Sequence, residues 1–392
     1  MNLREWQKEA YEFFKENNNS LYEIVTGGGK TYFAIYCIRE LLKQNPNLKI
    51  LIVGPKNVII EQTWHDELHY NGFPINNVGL FNQSAKELSK ITLCSIQSLG
   101  NLIKLGLYNL FDFVVFDEVH NYGTEKYLSY LRIPKQYKIG LSATLERQDL
   151  NDITIRNIFD WKIYNYDIKQ GLNDEIINKF DFYHYSIELN EDNKIRYEEL
   201  TKSINLIFKT SKTNNIDKIK DEQVKNKLYS LINERKDLID NYPIKYSVVN
   251  TIIKQNLKSK IIVFNQYNQI SKNIYWNLMD EDIDSEIVNS SISRYQQMKA
   301  LKRFEEDESN ILLATTMFDE GYNLPKIDVA ILMSQNSTTK QFIQRMGRVL
   351  RKKEINSKVY YITVKDTYEE VNYNKKKDLI KEISNEFIEI DV

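Results

Sequence analysis

The sequence predicts an α/β protein built from two tandem, doubly wound parallel-sheet domains, with a helical insertion in the second. Three observations carry that expectation. Short apolar runs alternate with longer stretches of helical period; the runs are continuously apolar; and the rhythm stops near Gly171 and resumes at Lys260. Continuous apolar character marks a strand covered on both faces, and alternation with helices points to parallel pairing.

In the first domain the runs are LYEIV, LKILIVGP, ITLCSIQS, FDFVVFDE and YKIGLSAT, each bounded by glycine, proline or polar residues. FDFYHYSIEL reads as the first strand of the second domain. Residues 191–240 then turn rich in lysine and glutamate without strand signals, the pattern of a surface-exposed helical insertion. KIIVFNQ, DSEIVNSS, NILLATT, DVAILMSQ and KVYYITV restore the α/β rhythm. The expected domains are therefore 1–168 and 169–365, the latter carrying the insertion at about 191–240, followed by a charged helical tail over 366–392.

Composition narrows the function. The chain of 392 residues is 42% hydrophobic and 27% charged, ordinary values for a protein able to bury a sizeable core. Lys+Arg of 53 against Asp+Glu of 54 gives a net charge of -1, so any phosphate-binding track must be local. Two cysteines, Cys37 and Cys94, argue against a disulfide framework or zinc module and fit a reducing compartment. The N-terminal segment lacks an apolar signal core, and the longest apolar runs are far too short to span a bilayer. The expectation is a soluble, cytoplasmic protein with no membrane partner.

Thr26-Gly27-Gly28-Gly29-Lys30-Thr31 follows an apolar run and opens a helical one, the context of a phosphate-binding loop. Glycines let backbone amides turn toward phosphate oxygens; Lys30 would hold the β- and γ-phosphates of ATP, and Thr31 would ligate Mg²⁺. Ile24 stands where the usual first glycine of the Walker pattern would be, so a plain glycine-rich turn is the alternative. Asp117-Glu118-Val119-His120 leaves the carboxyl end of another buried run. Asp117 would bind Mg²⁺, and Glu118 would orient and deprotonate the attacking water. A solvated acidic strand end is the bland reading. Ser142 and Thr144, after a third buried run, would hydrogen-bond the segment containing His120 and report nucleotide state. His65 and His69 share a helix face at metal-capable spacing, but Asp66 stands where a zinc protease has glutamate, and a surface helix is expected.

The order of these elements resembles helicase superfamily two, and the resemblance covers nearly the whole chain. It implies that both domains are RecA-like. Leu3-Arg4-Glu5-Trp6-Gln7 looks like the adenine-recognition segment, with Arg4 and Gln7 at the nucleotide. Val53-Gly54-Pro55-Lys56 resembles motif Ia, and Thr92 to Ser98 resembles motif Ib. IIVFNQ is similar to motif IV, and ATTMFDEGYNLP to motif V, placing Glu320 and Gly321 at the nucleotide. QFIQRMGRVLR resembles motif VI: Gln344, Arg348 and Arg351 fall on one helical face, where a guanidinium would reach a γ-phosphate across a cleft between the domains. A basic solvated helix is the alternative there.

The DEVH box and Ser-Ala-Thr-Leu-Glu-Arg-Gln-Asp resemble the xeroderma-pigmentosum-B-type helicases and restriction-enzyme motor subunits. Arg147-Gln148-Asp149 matches the outer residues of that group's Arg-Glu-Asp element and replaces its glutamate. The 191–240 block would play the part of the group's thumb-like insertion. The resemblance implies nucleic-acid contacts at Pro55, Lys56, Ser95, Gln97, Arg147, Gln266, Arg294 and Thr315. Lysines such as Lys202 and Lys212 would extend that track, with an ordinary solvated helix an alternative of at least equal weight. These readings converge on an ATP- and Mg²⁺-dependent, sequence-nonspecific motor on duplex, forked or branched DNA, monomeric, with branch migration the favoured activity. An RNA helicase, the motor subunit of a restriction or defence complex, and a noncatalytic nucleic-acid clamp are the alternatives.

Overall fold

The computed structural model describes residues 2–55, 59–145, 151–315, 327–333, 342 and 356–392, the side chains of 59, 61, 62, 217 and 294 excepted. The described residues form two compact units, the first made of those up to Asn178 together with Phe342, the second of the others from Lys179 onward.

The first unit holds seven strands: β1 (Asn19–Ile24), β2 (Ile50–Gly54), β3 (Val78–Phe81), β4 (Ile91–Ser95), β5 (Phe113–Phe116), β6 (Tyr137–Ser142) and β7 (Ile163–Tyr166). They lie in the order β3-β4-β2-β5-β6-β1-β7, each recorded pairing parallel. β2, β4 and β5 are buried at every position, which explains their unbroken apolar runs. Because all run the same way, the residues following β1, β2, β4, β5 and β6 emerge at one edge of the sheet, where α/β folds bind ligands. β3 and β7 were not evident in the sequence. Both are four-residue edge strands, and β3 alternates between partly and fully buried positions.

The second unit repeats the plan with β8 (Phe180–Ile187), β9 (Ile261–Asn265), β10 (Glu286–Val288), β11 (Ile311–Thr315), β12 (Val329–Met333), β13 (Ser357–Val364) and β14 (Glu386–Asp391). Their order is β10-β11-β9-β12-β13-β8-β14, again parallel. The expected α/β architecture is thus present twice. Between β8 and β9 stand helices Glu191–Thr210 and Glu222–Asp240, joined around a small core of Ile204, Ile219 and Leu228. Asn190 and Asp221 cap their N-termini with side-chain oxygens.

Two details depart from expectation. Residues 169–178 belong to the first unit, where the helix Ile168–Asn173 packs so closely that a Cβ on Gly171 would lie 3.2 Å from Val25 Cγ1. The tail is also not wholly helical: after helix Tyr368–Ile383 the chain forms β14, paired with β8 from Asp181 to Ser186. Glu386, Glu389 and Asp391 gave that stretch a tail-like charge, whereas Phe387 stacks on Phe182 at 5.6 Å. Among the described residues no helix is long and apolar enough to cross a membrane.

Candidate active site

β1 carries the chain into the sheet edge with Leu21, Tyr22 and Ile24 fully buried, and the segment 26–29 turns it into helix Lys30–Gln44. Gly27 and Gly29 adopt φ of 82° and 103°, left-handed conformations that favour glycine. Gly28 is required for a different reason: a Cβ there would sit 2.9 Å from both Ile24 Cγ2 and the Val25 carbonyl oxygen. The Gly28 amide donates to that carbonyl at 2.9 Å, so the turn closes with Ile24 in place of the usual glycine. The hydroxyl of Thr26 is buried without a partner among the described residues. Thr31 is the second residue of the helix and half-buried, beside backbone amides with no intrahelical acceptor.

The N-terminal segment grips this loop from outside. Arg4 Nη1 donates to the Gly28 carbonyl at 2.8 Å and Gln7 Nε2 to the Gly29 carbonyl at 3.2 Å, while Gln7 Oε1 accepts from the Arg4 amide at 3.0 Å. Trp6 anchors the arrangement by stacking on Tyr166 at 5.0 Å.

Asp117 and Glu118 leave β5 at the same edge. The Asp117 amide donates to the Val53 carbonyl at 2.8 Å. Its carboxylate accepts from the Glu118 amide at Oδ1, 3.0 Å, and from the indole N–H of Trp64 at Oδ2, 2.8 Å. Burial pushes Asp117 up to about 6 and the Glu118 charge adds to the rise, against the pull of Lys30 and the Trp64 bond. Glu118 holds a left-handed φ of 47°, which turns it back toward the loop. Its Oε1 meets Lys30 Nζ at 3.3 Å, with both side chains largely buried.

The other carboxylate oxygen of Glu118 lies 3.3 Å from His120 Nδ1, which is 2.9 Å from Ser142 Oγ. Ser142 Oγ in turn bonds the Thr144 carbonyl and accepts from the Thr144 amide at 3.2 Å. Lys30, Asp117, Glu118, His120, Ser142 and Thr144 are therefore one connected group.

At the same edge, Gln97 Nε2 donates to the Pro55 carbonyl at 3.1 Å. Ser95 stands at the N-cap of helix Ile96–Lys104, 1% exposed, its hydroxyl without a partner among the described residues. In the second unit Gln266 is half-buried just beyond β9, Thr315 is buried at the end of β11, and the backbone of Arg294 opens helix Arg294–Glu305. Lys56, Arg147, Glu320, Gly321, Gln344, Arg348 and Arg351 lie outside the described residues.

Two participants were not foreseen. Trp64 lies beyond the motif Ia residues in sequence, and its buried indole N–H demands an acceptor. Glu23, a carboxylate inside an otherwise apolar strand, accepts from the Leu145 amide at 2.9 Å and pairs with Arg156 at 3.4 Å. That break in LYEIV was the available signal.

Comparison with known proteins agrees with this geometry. The family model for the res subunit of type III restriction enzymes matches residues 1–147, and the helicase conserved C-terminal domain matches 244–353. The chain is 27% identical over 377 residues to the "DNA 3'-5' translocase XPB2" of Sulfurisphaera tokodaii, covering 93% of this chain and 82% of that protein. It is 22% identical to "Putative helicase 22" of Sulfolobus islandicus filamentous virus, over 88% of this chain and 60% of the relative. Identity is also 22% to the "DNA 3'-5' helicase XPB" of Kineococcus radiotolerans, over 92% of this chain and 59% of the relative. The chain thus spans about three-fifths of these last two. Among solved structures, the Pyrococcus furiosus Hef helicase domain superposes with a TM-score of 0.65 at 17% identity, covering 96% of this chain and 98% of that one. Saccharomyces cerevisiae Dbp5 bound to RNA and ADP BeF3 gives 0.61 at 13%, covering 99% and 89%; at such identities the likeness concerns the fold. Two RecA-like α/β units, a lysine loop facing a carboxylate pair, and both family matches place the chain in helicase superfamily two, as an ATP-hydrolysing nucleic-acid helicase.

Proposed function

We propose that this chain is an ATP-driven DNA translocase or helicase acting on duplex, forked or branched DNA without sequence preference. The observation that carries the motor reading is the Lys30–Glu118 contact at the mouth of the first sheet, beside a loop shaped for phosphate. DNA is favoured because relatives aligned over most of this chain are named as DNA translocases or helicases.

The loop suits a nucleotide triphosphate: the 26–29 backbone leaves no room for a Cβ at Gly28, and the buried Thr26 hydroxyl has a bond to give. Asp117 and Thr31 offer one carboxylate and one hydroxyl, a donor set that suits Mg²⁺, which keeps several waters. Bound there, Mg²⁺ would neutralise charge on the phosphate oxygens. Lys30 would move its ammonium to the phosphates, and Glu118, relieved of that partner, would orient and deprotonate water. The His120–Ser142–Thr144 chain would pass the position of Glu118 to the segment after β6. Arg4 and Gln7 would steady the loop and meet the base, while Glu320, Gly321, Gln344, Arg348 and Arg351 would complete the site, the arginines supplying transition-state charge.

For nucleic acid, the N-terminus of helix Ile96–Lys104, opened by Ser95, would face a backbone phosphate. Pro55, Lys56, Gln97, Arg147, Gln266, Arg294 and Thr315 would extend the contacts. The two units, divided near residue 178, would act together, with the helical pair of 191–240 gripping duplex and branch migration as the specific outcome.

The test is ATP turnover with single-stranded, duplex, forked and four-way DNA and with RNA, for wild type and Lys30→Ala. Turnover should rise with DNA and fall at least about 100-fold in the variant, with DNA binding retained. Stimulation by RNA alone removes the DNA assignment; undiminished hydrolysis in Lys30→Ala removes the site.

A further inference from the structure

Trp64 reaches Asp117 from 53 residues earlier in the chain. It closes the π-helical segment Ile59–Trp64, a wide-turned form that recurs at functional sites. The indole has no exposed surface. Its N–H needs an acceptor when buried, but a neutral carbonyl would satisfy that need; here it is given to a carboxylate, a stronger charge-assisted bond. With Oδ1 held by the Glu118 amide and Oδ2 by Trp64, the Asp117 carboxylate is pinned at both oxygens.

We propose that Trp64 is a positioning residue, whose indole N–H holds the Asp117 carboxylate in the orientation that a divalent cation beside the nucleotide requires. This rests on the reading of Asp117 as the metal-binding carboxylate. The same bond ties Asp117 to the chain that leaves β2 past Pro55, whose carbonyl is held by Gln97. A shift of that wall would therefore move the carboxylate. Groups that orient a metal ligand are worth about 10- to 100-fold in metal affinity.

The experiment measures Mn²⁺ binding by electron paramagnetic resonance in the presence of a nonhydrolysable ATP analogue. It compares wild type, Trp64→Phe, Trp64→His and Asp117→Asn. Phe keeps a buried ring and removes the N–H; His returns a ring N–H. Binding of the analogue in EDTA checks that each variant is folded. The expected result is Mn²⁺ affinity weakened about tenfold in Trp64→Phe and partly recovered in Trp64→His, with analogue binding in EDTA unchanged. Mn²⁺ affinity within about twofold of wild type in Trp64→Phe, while Asp117→Asn binds poorly, leaves Trp64 as packing only and overturns the inference. Wild-type affinity in Asp117→Asn instead removes the metal reading on which it rests.

Discussion

Gly28 and Glu118 show how much of the chemistry is set by single residues. At Gly28 the obstacle to a side chain is partly the Val25 backbone oxygen, which cannot rotate away, so the loop itself must move. Gly28→Ala should raise the KM for ATP by about tenfold, measured under saturating DNA, because the amides proposed to bind phosphate are displaced. Glu118→Gln keeps size and hydrogen bonding but removes the proposed base. Its kcat should fall by about 10²-fold or more while nucleotide binding, measured by fluorescence titration, stays close to wild type. At this scale the sequence was informative wherever a residue's neighbours in the chain specify its setting. Lys30 follows a glycine run and Asp117 ends an apolar run, so both were legible. The Trp64–Asp117 and Glu23–Leu145 bonds were not, since their partners are brought together only by the sheet.

Single elements carry much of the second unit's stability. β8 sits between β13 and β14, and His184 within it is 3% exposed, stacked on Tyr373 at 3.7 Å and bonded to Thr363 at 2.8 Å. Burial lowers His184 to about 4, outweighing the opposing charge of Glu389. The unfolded chain then takes up a proton near the ordinary value of about 6.5, before the folded one does. Stability is full above that pH and is lost as pH falls toward 4, by about 1.4 kcal/mol per unit at most. Thermal melts of wild type and His184→Gln should show a flatter dependence in the variant across that window. Lys245 and Glu369 form a wholly buried ion pair at 2.7 Å, joining helix Pro243–Gln255 to helix Tyr368–Ile383. Lys245→Met strands a buried carboxylate and should cost about 3–5 kcal/mol in denaturant unfolding, with much of that recovered in Lys245→Met/Glu369→Gln. Interior strands were legible because burial on both faces imposes an unbroken apolar run. β7 and β14, at sheet edges, were not, since an edge strand tolerates polar residues.

For the molecule as a whole, the proposed function draws on residues from both halves of the sequence. Arg348→Ala should lower DNA-stimulated kcat by about 10³-fold with ATP affinity largely kept, as for other arginines that act on the transition state. Purely backbone-directed binding should also give an affinity that falls steeply with salt and varies little with sequence, read by fluorescence anisotropy on duplexes of unrelated sequence. Local order along the chain determined the α/β class, the phosphate loop and the acidic strand end, because a loop between a buried strand and a helix is specified by residues adjacent in sequence. Tertiary structure alone decided which edge strands complete each sheet, that the terminal segment joins one, that Trp64 meets Asp117, and that Glu23 meets Leu145 and Arg156. Those are contacts between distant segments, settled by packing and by the need of buried polar groups for partners.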